Sequence, residues 1–373
     1  ALALAMLTKG LIALLLPAGA VLLYSVWQRD WALWKHLHIG KGLLLFLLLT
    51  APWFIAVSMA NPEFPRFFFI HEHFARYTSD VHERVAPWWY FIPVFLAGVL
   101  PWTAIILQSL YQPLRQAGLR TTAGFDAERF LLVFTVFVLV FFSLGQSKLA
   151  SYILPVMPVV AVLAGRRLAM TGYRRFDSWS LLVLAVALLA CAWQAARFAS
   201  DTTPASMFMA YRPWFIAASL MLAVAAVEGF RARPAKPGHI ATVGLLVLLA
   251  FQLLGWGFQS LSGSRSSRDL ATAIQAHVPA GTVVYAVATY PQSLPFYLQQ
   301  TITLVSKKDE MKMGINLEPE RWIATTGDFL HLWQQHDRAV AVFRTKSYDR
   351  YRDHLGPVQV IYHGLRRTAV VKQ

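Results

Sequence analysis

Residues 42–60, GLLLFLLLTAPWFIAVSMA, run without a single charge into residues 61–90, NPEFPRFFFIHEHFARYTSDVHERVAPWWY. The first stretch has the length and apolarity of a bilayer-spanning helix, for which about 20 residues are needed. The second packs three histidines, three arginines and four acids among dense aromatics. Such a segment, set between apolar runs, belongs at a membrane surface, where water and headgroups solvate it. The pair therefore specifies a polytopic helical membrane protein with an elaborate surface loop.

Working outward, apolar runs recur. Eight candidate spans cover 3–27, 42–60, 91–111, 130–145, 151–166, 180–197, 213–229 and 240–258. Each is expected to be helical, because lipid leaves unpaired backbone groups unsatisfied. The fourth and fifth are short, and Pro155 and Pro158 in their GQSKLASYILPVMP connection suggest a bent or partly re-entrant element. Composition agrees: of 373 residues, 57% are hydrophobic and 14% charged, with a mean hydropathy of +0.47. The net charge of +15 is read as cytoplasmic loop charge rather than as a nucleic-acid footprint. Cys191 has no partner, so no intrachain disulfide forms. The opening ALALAMLTKGLIALLLPAGAVLLYSVW lacks a Met and a basic n-region, so it is expected to lie inside a membrane domain with further sequence upstream.

Loop charge sets the orientation. One set of connections carries thirteen Lys and Arg residues, the opposite set six. The richer side is assigned to the cytoplasm. The 61–90 loop, the 145–152 connection and everything after 258 then face outward.

The transmembrane domain is expected over 1–260 and a second, extracytoplasmic domain over 261–373, after the SLSGSRSSRD linker. TVVYAVA, ITLVS, RWIATT, AVAVFR and VQVIYH read as strands, and DLATAIQAHV and DFLHLWQQH as helices. Their alternation predicts a small α/β domain. It contains no glycine-rich phosphate loop, metal-spaced cysteines or hydrolase elbow.

In the surface loop, His71 and His73 with Glu72 offer ligands that suit a divalent cation such as zinc. Arg76 and Arg84 offer planar forks for phosphate. If FFFIHEHFARY is a short helix, His73 and Arg76 share a face and His71 sits about half a turn away. Lys148 and Tyr152 flank the bent element, where a lysine at span depth is costly enough to suggest a phosphate partner. Lys9, in LTKG, sits near the outer end of the first span. The structural alternative for each cation is snorkelling to the headgroups. For Trp88, Trp89 and Tyr90 it is interfacial anchoring.

LTKG at 7–10, FFFIHEHFARY at 67–77, HERVAPWWYF at 82–91 and SKLASYILPVMP at 147–158 resemble, in the same order, the aminoarabinose transferases that modify lipid A. These ArnT-like enzymes belong to the superfamily of dolichyl-phosphate-mannose protein mannosyltransferases. The motif resemblance covers residues 1 to about 170. It implies a GT-C membrane fold at the bacterial inner membrane and a periplasmic C-terminal domain. It also implies transfer of aminoarabinose from undecaprenyl phosphate to lipid A. Lys9, Arg76 and Tyr152 would hold the donor phosphate, and His71 would be the first choice for a divalent metal. The family's catalytic carboxylate corresponds to nothing within these residues and is expected upstream, so the chain alone is expected to be inactive.

Two other functions compete. A protein O-mannosyltransferase-like enzyme would keep the donor chemistry and change the acceptor. A transporter of lipid-linked sugars should show repeated halves and broken mid-membrane helices. No repeat is evident and the polar candidates gather at one face. A scaffold with a protein-binding terminal module is a further, non-enzymatic reading.

Overall fold

The computed structural model describes residues 1–75, 86–115, 124–171, 175–231, 237–308 and 311–372. It divides into two compact units, 1–183 with 225–244, and 184–224 with 245–373.

In the first unit, the expected single span 3–27 is two helices, α1 (Leu2–Lys9) and α2 (Ile12–Gln28). Gly10 breaks them, with φ +76, a value that L side chains rarely adopt. After the short α3 (Ala32–His36) comes α4 (Ile39–Ala60), 22 residues with mean hydropathy 2.2. The expected span 91–111 is also broken. Its halves, α5 (Phe91–Gly98) and α6 (Thr103–Arg115), belong to a pair bent by 117°. Pro101 lies in the break and has no N–H with which to continue a helical ladder.

The helix α7 (Ala127–Leu144) begins where Asp126 accepts a hydrogen bond from the Arg129 N–H at 3.1 Å. A 3₁₀ turn (Ala150–Ile153) then leads into α8 (Val156–Thr171). The fifth expected span therefore starts as a tight turn. The helix α8 carries Arg166, which pairs with Glu128, and Arg167, which donates to Gln108 at 2.6 Å.

Helices α2 and α7 pack together in opposite directions. The Asp126 N–H donates to Tyr24 Oη at 2.7 Å, and Arg129 Nη1 donates to Gln28 Oε1 at 3.1 Å. Midway along, Gly19 leaves room for the Phe137 ring: a Cβ there would lie 2.5 Å from Phe137 Cζ. These contacts fix the register of the pair, and with it the level of both outer ends.

Three more long helices follow: α9 (Arg175–Trp193), α10 (Ala205–Arg231) and α11 (Pro237–Gly257). Among the described residues five helices are long and apolar enough to cross a membrane, or six if the bent pair counts as one span. Eight were expected, and the first, third and fifth differ because each is broken or begins as a turn. The chain is a multi-pass helical membrane protein.

In the second unit, the residues beyond 258 fold as a mixed sheet with flanking helices. After a 3₁₀ stretch (Phe258–Ser264) come α12 (Arg268–His277), β1 (Val284–Val287), α13 (Leu294–Leu298), β2 (Thr303–Val305), α14 (Lys312–Leu317), β3 (Trp322–Ile323), α15 (Thr326–Gln335), β4 (Val340–Arg344), α16 (Thr345–Arg352), β5 (Val358–His363) and β6 (Arg367–Lys372). Strand order is β3-β2-β1-β4-β6-β5, with the first four parallel and the last two joined antiparallel. The central strand β1 is buried at every residue, as a strand covered on both faces must be. Leu270, Ile274, Leu294 and Val342 fill one face; Phe329, Trp333, Phe343 and Tyr348 fill the other. All five strands read from the sequence form, and β6 is an additional one.

Candidate functional site

The segment after α4 is a π-helix, Arg66–Ala75, not the α-helix its spacing suggested. Its i→i+5 geometry turns the side chains from Arg66 to Ala75 by a different angle per residue than an α-helix would, and the expected pairing of His73 with Arg76 reaches beyond it. Arg76 and Arg84 lie outside the described residues.

His73 points into the break between α1 and α2. The Leu11 N–H donates to His73 Nε2 at 3.0 Å, and His73 Nδ1 lies 2.6 Å from the Phe68 carbonyl oxygen. A carbonyl only accepts, so Nδ1 carries the proton and Nε2 presents its lone pair to Leu11. Both nitrogens are thus committed to the main chain. Gly10 is obligatory beside this ring, since a Cβ there would sit 2.3 Å from His73 Nε2. The Leu11 N–H belongs to the start of α2, where the first turns have no helical acceptor. The imidazole supplies one.

His71 stacks on the Phe67 ring at 5.4 Å, and its Nδ1 lies 3.5 Å from Glu72 Oε1. Among the described residues no group of three or more His, Cys, Asp or Glu gathers as a metal would require. His71 and Glu72 alone fall short of the four donors of a structural zinc site or the three of a catalytic one. His73 has no lone pair to add. Among the described residues, these donors do not by themselves make up a metal site.

Lys9 is the last residue of α1 and is exposed at the break. Lys148 is buried, at 8% exposure, and its ammonium donates to the Gly145 carbonyl at 2.6 Å. Tyr152, half-buried in the 3₁₀ turn, packs its ring against Phe142 at 5.1 Å. Beside them is a residue that sequence reasoning missed. The Ser147 hydroxyl is buried and has no hydrogen-bond partner among the described residues. A serine in a small-polar turn gives no signal in sequence; only its burial marks it.

The α2–α7 register relates the two clusters. Gly19 faces Phe137, and the runs from Gly19 to Ile12 and from Phe137 to Leu144 are equal, about 10 Å each. Lys9 therefore lies just beyond one helix end, and Lys148 and Tyr152 just beyond the other, at the same level of the pair. Among the described residues no hydrogen bond joins Lys9 to Lys148 or Tyr152. Three donors and an unpaired hydroxyl at a membrane boundary can hold an anionic headgroup.

Comparison with known proteins bears on the family and the fold. Residues 270–372 match the aminoarabinose transferase C-terminal domain family. The undecaprenyl phosphate-α-4-amino-4-deoxy-L-arabinose arabinosyl transferase 1 of Pseudomonas fluorescens is 37% identical over 164 residues, which are 43% of this chain and 28% of that protein. The corresponding transferase of Erwinia tasmaniensis is 34% identical over 190 residues, 50% of this chain and 33% of its own length. The matched stretches thus span about a third or less of these curated relatives. The crystal structure of ArnT from Cupriavidus metallidurans bound to undecaprenyl phosphate superposes with a TM-score of 0.89 at 30% identity, covering 99% of this chain and 67% of that one. Its apo form gives 0.88. With the resemblance of the membrane motifs, the match of the terminal domain and the superposition of nearly the whole fold in agreement, the chain belongs to the ArnT family of aminoarabinose transferases, of GT-C type.

Proposed function

We propose that this chain is the donor-holding part of a polyprenyl-phosphate-dependent glycosyltransferase. Its donor would be undecaprenyl phosphate carrying 4-amino-4-deoxy-L-arabinose, and its acceptor a phosphate of lipid A. The observation that carries the proposal is the shared level of Lys9, Lys148 and Tyr152 at the end of the α2–α7 pair, with the unpaired Ser147 hydroxyl beside them. Its support from relatives is a homologue crystallised with undecaprenyl phosphate. The loop-charge asymmetry supports an outward-facing terminal domain, and the family resemblance supports the inner membrane and the periplasm as its location.

The chemistry is an inverting displacement. An acceptor oxygen forms a bond to the anomeric carbon as that carbon's bond to the phosphate oxygen breaks, and undecaprenyl phosphate leaves with the electron pair. A base takes the acceptor's proton. Lys9, Lys148 and Tyr152, with Arg76 and Arg84 from the neighbouring loop, offset the charge that grows on the phosphate.

Radiolabelled donor offered in parallel to purified lipid A and to secreted protein tests the proposal in the intact enzyme. Label in lipid A supports it. Label in protein alone would favour the protein O-mannosyltransferase-like alternative.

A further inference from the structure

Far along the chain from the donor-holding residues, the terminal domain contains a cavity of about 240 Å³. It lies between the segment leading out of α11 and the turn of the β5–β6 hairpin. Its polar lining includes Arg265, Ser266, Ser267, Tyr362, Arg366 and Arg367. The charge arrangement is unusual for a structural site. Arg367 on β6 stands directly opposite Arg344 on β4 in the antiparallel register, a like-charge pairing that destabilises a sheet. Arg366 adds a third guanidinium beside them. Among the described residues, none of these arginines is ion-paired. Asp269 acts electrostatically on Tyr362 and bridges to none of them.

The cations are held in place by neutral groups. Arg367 Nη1 donates to Ser267 Oγ at 3.3 Å, Arg366 Nη2 to Thr202 Oγ1 at 3.4 Å, and Arg265 stacks over Phe258 at 5.5 Å. Burial, then the neighbouring guanidiniums of Arg366 and Arg344, push Arg367 below its ordinary pKa. Folding therefore pays to keep positive charges together around an open space. An anion in that space would relieve the cost.

Position narrows the ligand. Arg344 ends β4, so the cavity adjoins the carboxyl edge of the parallel strands, where open α/β sheets bind ligands. Ser267, the residue before α12, lines the cavity, so the cavity lies at that helix's N-terminus. The lining also begins where an apolar span ends, since the stretch Gly238–Ser264 is long and apolar enough to cross a membrane. Exposed Trp256 and Phe258 mark that end as the headgroup level.

We propose that this cavity is a second anion site, binding a phosphate group at the outer membrane boundary independently of the donor site. The phosphate would come from an outer-leaflet lipid or from free phosphate. The test is affinity of the detergent-solubilised protein for inorganic phosphate and for dihexanoyl phosphatidic acid, in the wild type and in Arg366→Gln and Arg367→Gln. Arg366 is exposed, so its replacement spares the fold if Arg367→Gln does not; thermal unfolding checks both.

Each substitution is expected to weaken binding about ten- to hundredfold, the effect of losing one charge-assisted contact. Binding of the lipid alone would assign the site to a headgroup, and equal binding of both probes to phosphate itself. If neither probe binds, or if both substitutions leave affinity unchanged in folded protein, the proposal is overturned.

Discussion

Leu11 N–H donates to His73 Nε2 at 3.0 Å across 62 residues of sequence. The bond ties the break between the first two helices to the π-helical segment that leads into the polar loop. Lys9 is held two residues from the tie, and Arg76 follows three residues after it. The histidine that looked like a metal ligand is instead a clamp.

Removing the clamp should loosen the donor site. His73→Ala leaves the Leu11 N–H and the Phe68 carbonyl without their partner, at about 1–3 kcal/mol for each group that stays buried. Thermal unfolding of the purified protein should show a lowered transition, and undecaprenyl phosphate affinity should fall with it. His73→Gln, which can still donate and accept, should recover part of both.

Gly10→Ala should be worse than any other glycine substitution in the first four helices except Gly19→Ala. It combines a φ of +76 with a Cβ 2.3 Å from His73 Nε2, for about 1–2 kcal/mol of backbone strain plus about 1–3 kcal/mol of overpacking. Gly40→Ala meets nothing within 4 Å and should be neutral or slightly stabilising. Adding His73→Ala to Gly10→Ala should relieve the steric part and leave the strain.

Ser147 separates a ligand contact from a structural one. Its buried hydroxyl has no hydrogen-bond partner among the described residues, so Ser147→Ala should leave folding stability unchanged or raised. If the hydroxyl meets the donor phosphate, binding of undecaprenyl phosphate should weaken severalfold in the same variant. Unchanged affinity in a titration would remove Ser147 from the site.

The terminal domain should respond to acid through Asp201. The hydrogen bond from Lys346, then its charge, hold this exposed carboxyl below its ordinary value of 3.8. A folded pKa below the unfolded one means that the contribution is present above pH 3.8 and is lost as pH falls through the folded value. Lys346→Met should therefore lose less stability than wild type on acidification from about pH 5 to pH 3. Unfolding followed by tryptophan fluorescence would show it.

Much of this architecture is legible in sequence because lipid imposes it. The apolar runs at 42–60 and 130–145 announce α4 and α7 without tertiary information, and the β-branched runs at 284–287 and 340–344 announce β1 and β4. The breaks are less legible. Hydropathy sums over Gly10 and Pro101 as if the helices continued, since neither residue is polar enough to interrupt an apolar average. Strand β6 was missed because Arg366 precedes it and Arg367 opens it, and a pair of charges reads as loop. Among the candidate residues, Lys148 was singled out by the cost of placing a lysine at span depth, and Lys9 by its place near the end of the first span. The role of His73 was not, because its partners are main-chain atoms far away in sequence and only the fold brings them within reach.

The most direct test of the donor-site proposal compares two cations beside opposite ends of one helix. Lys9 precedes the first turn of α2 and Arg29 follows its last, so Lys9→Ala and Arg29→Ala remove the same charge from opposite ends of that helix. Undecaprenyl phosphate affinity, measured in the intact protein, should fall about ten- to hundredfold for Lys9→Ala and stay at the wild-type value for Arg29→Ala. Equal losses, or a loss confined to Arg29→Ala, would contradict a phosphate grip at the outer end of the α2–α7 pair.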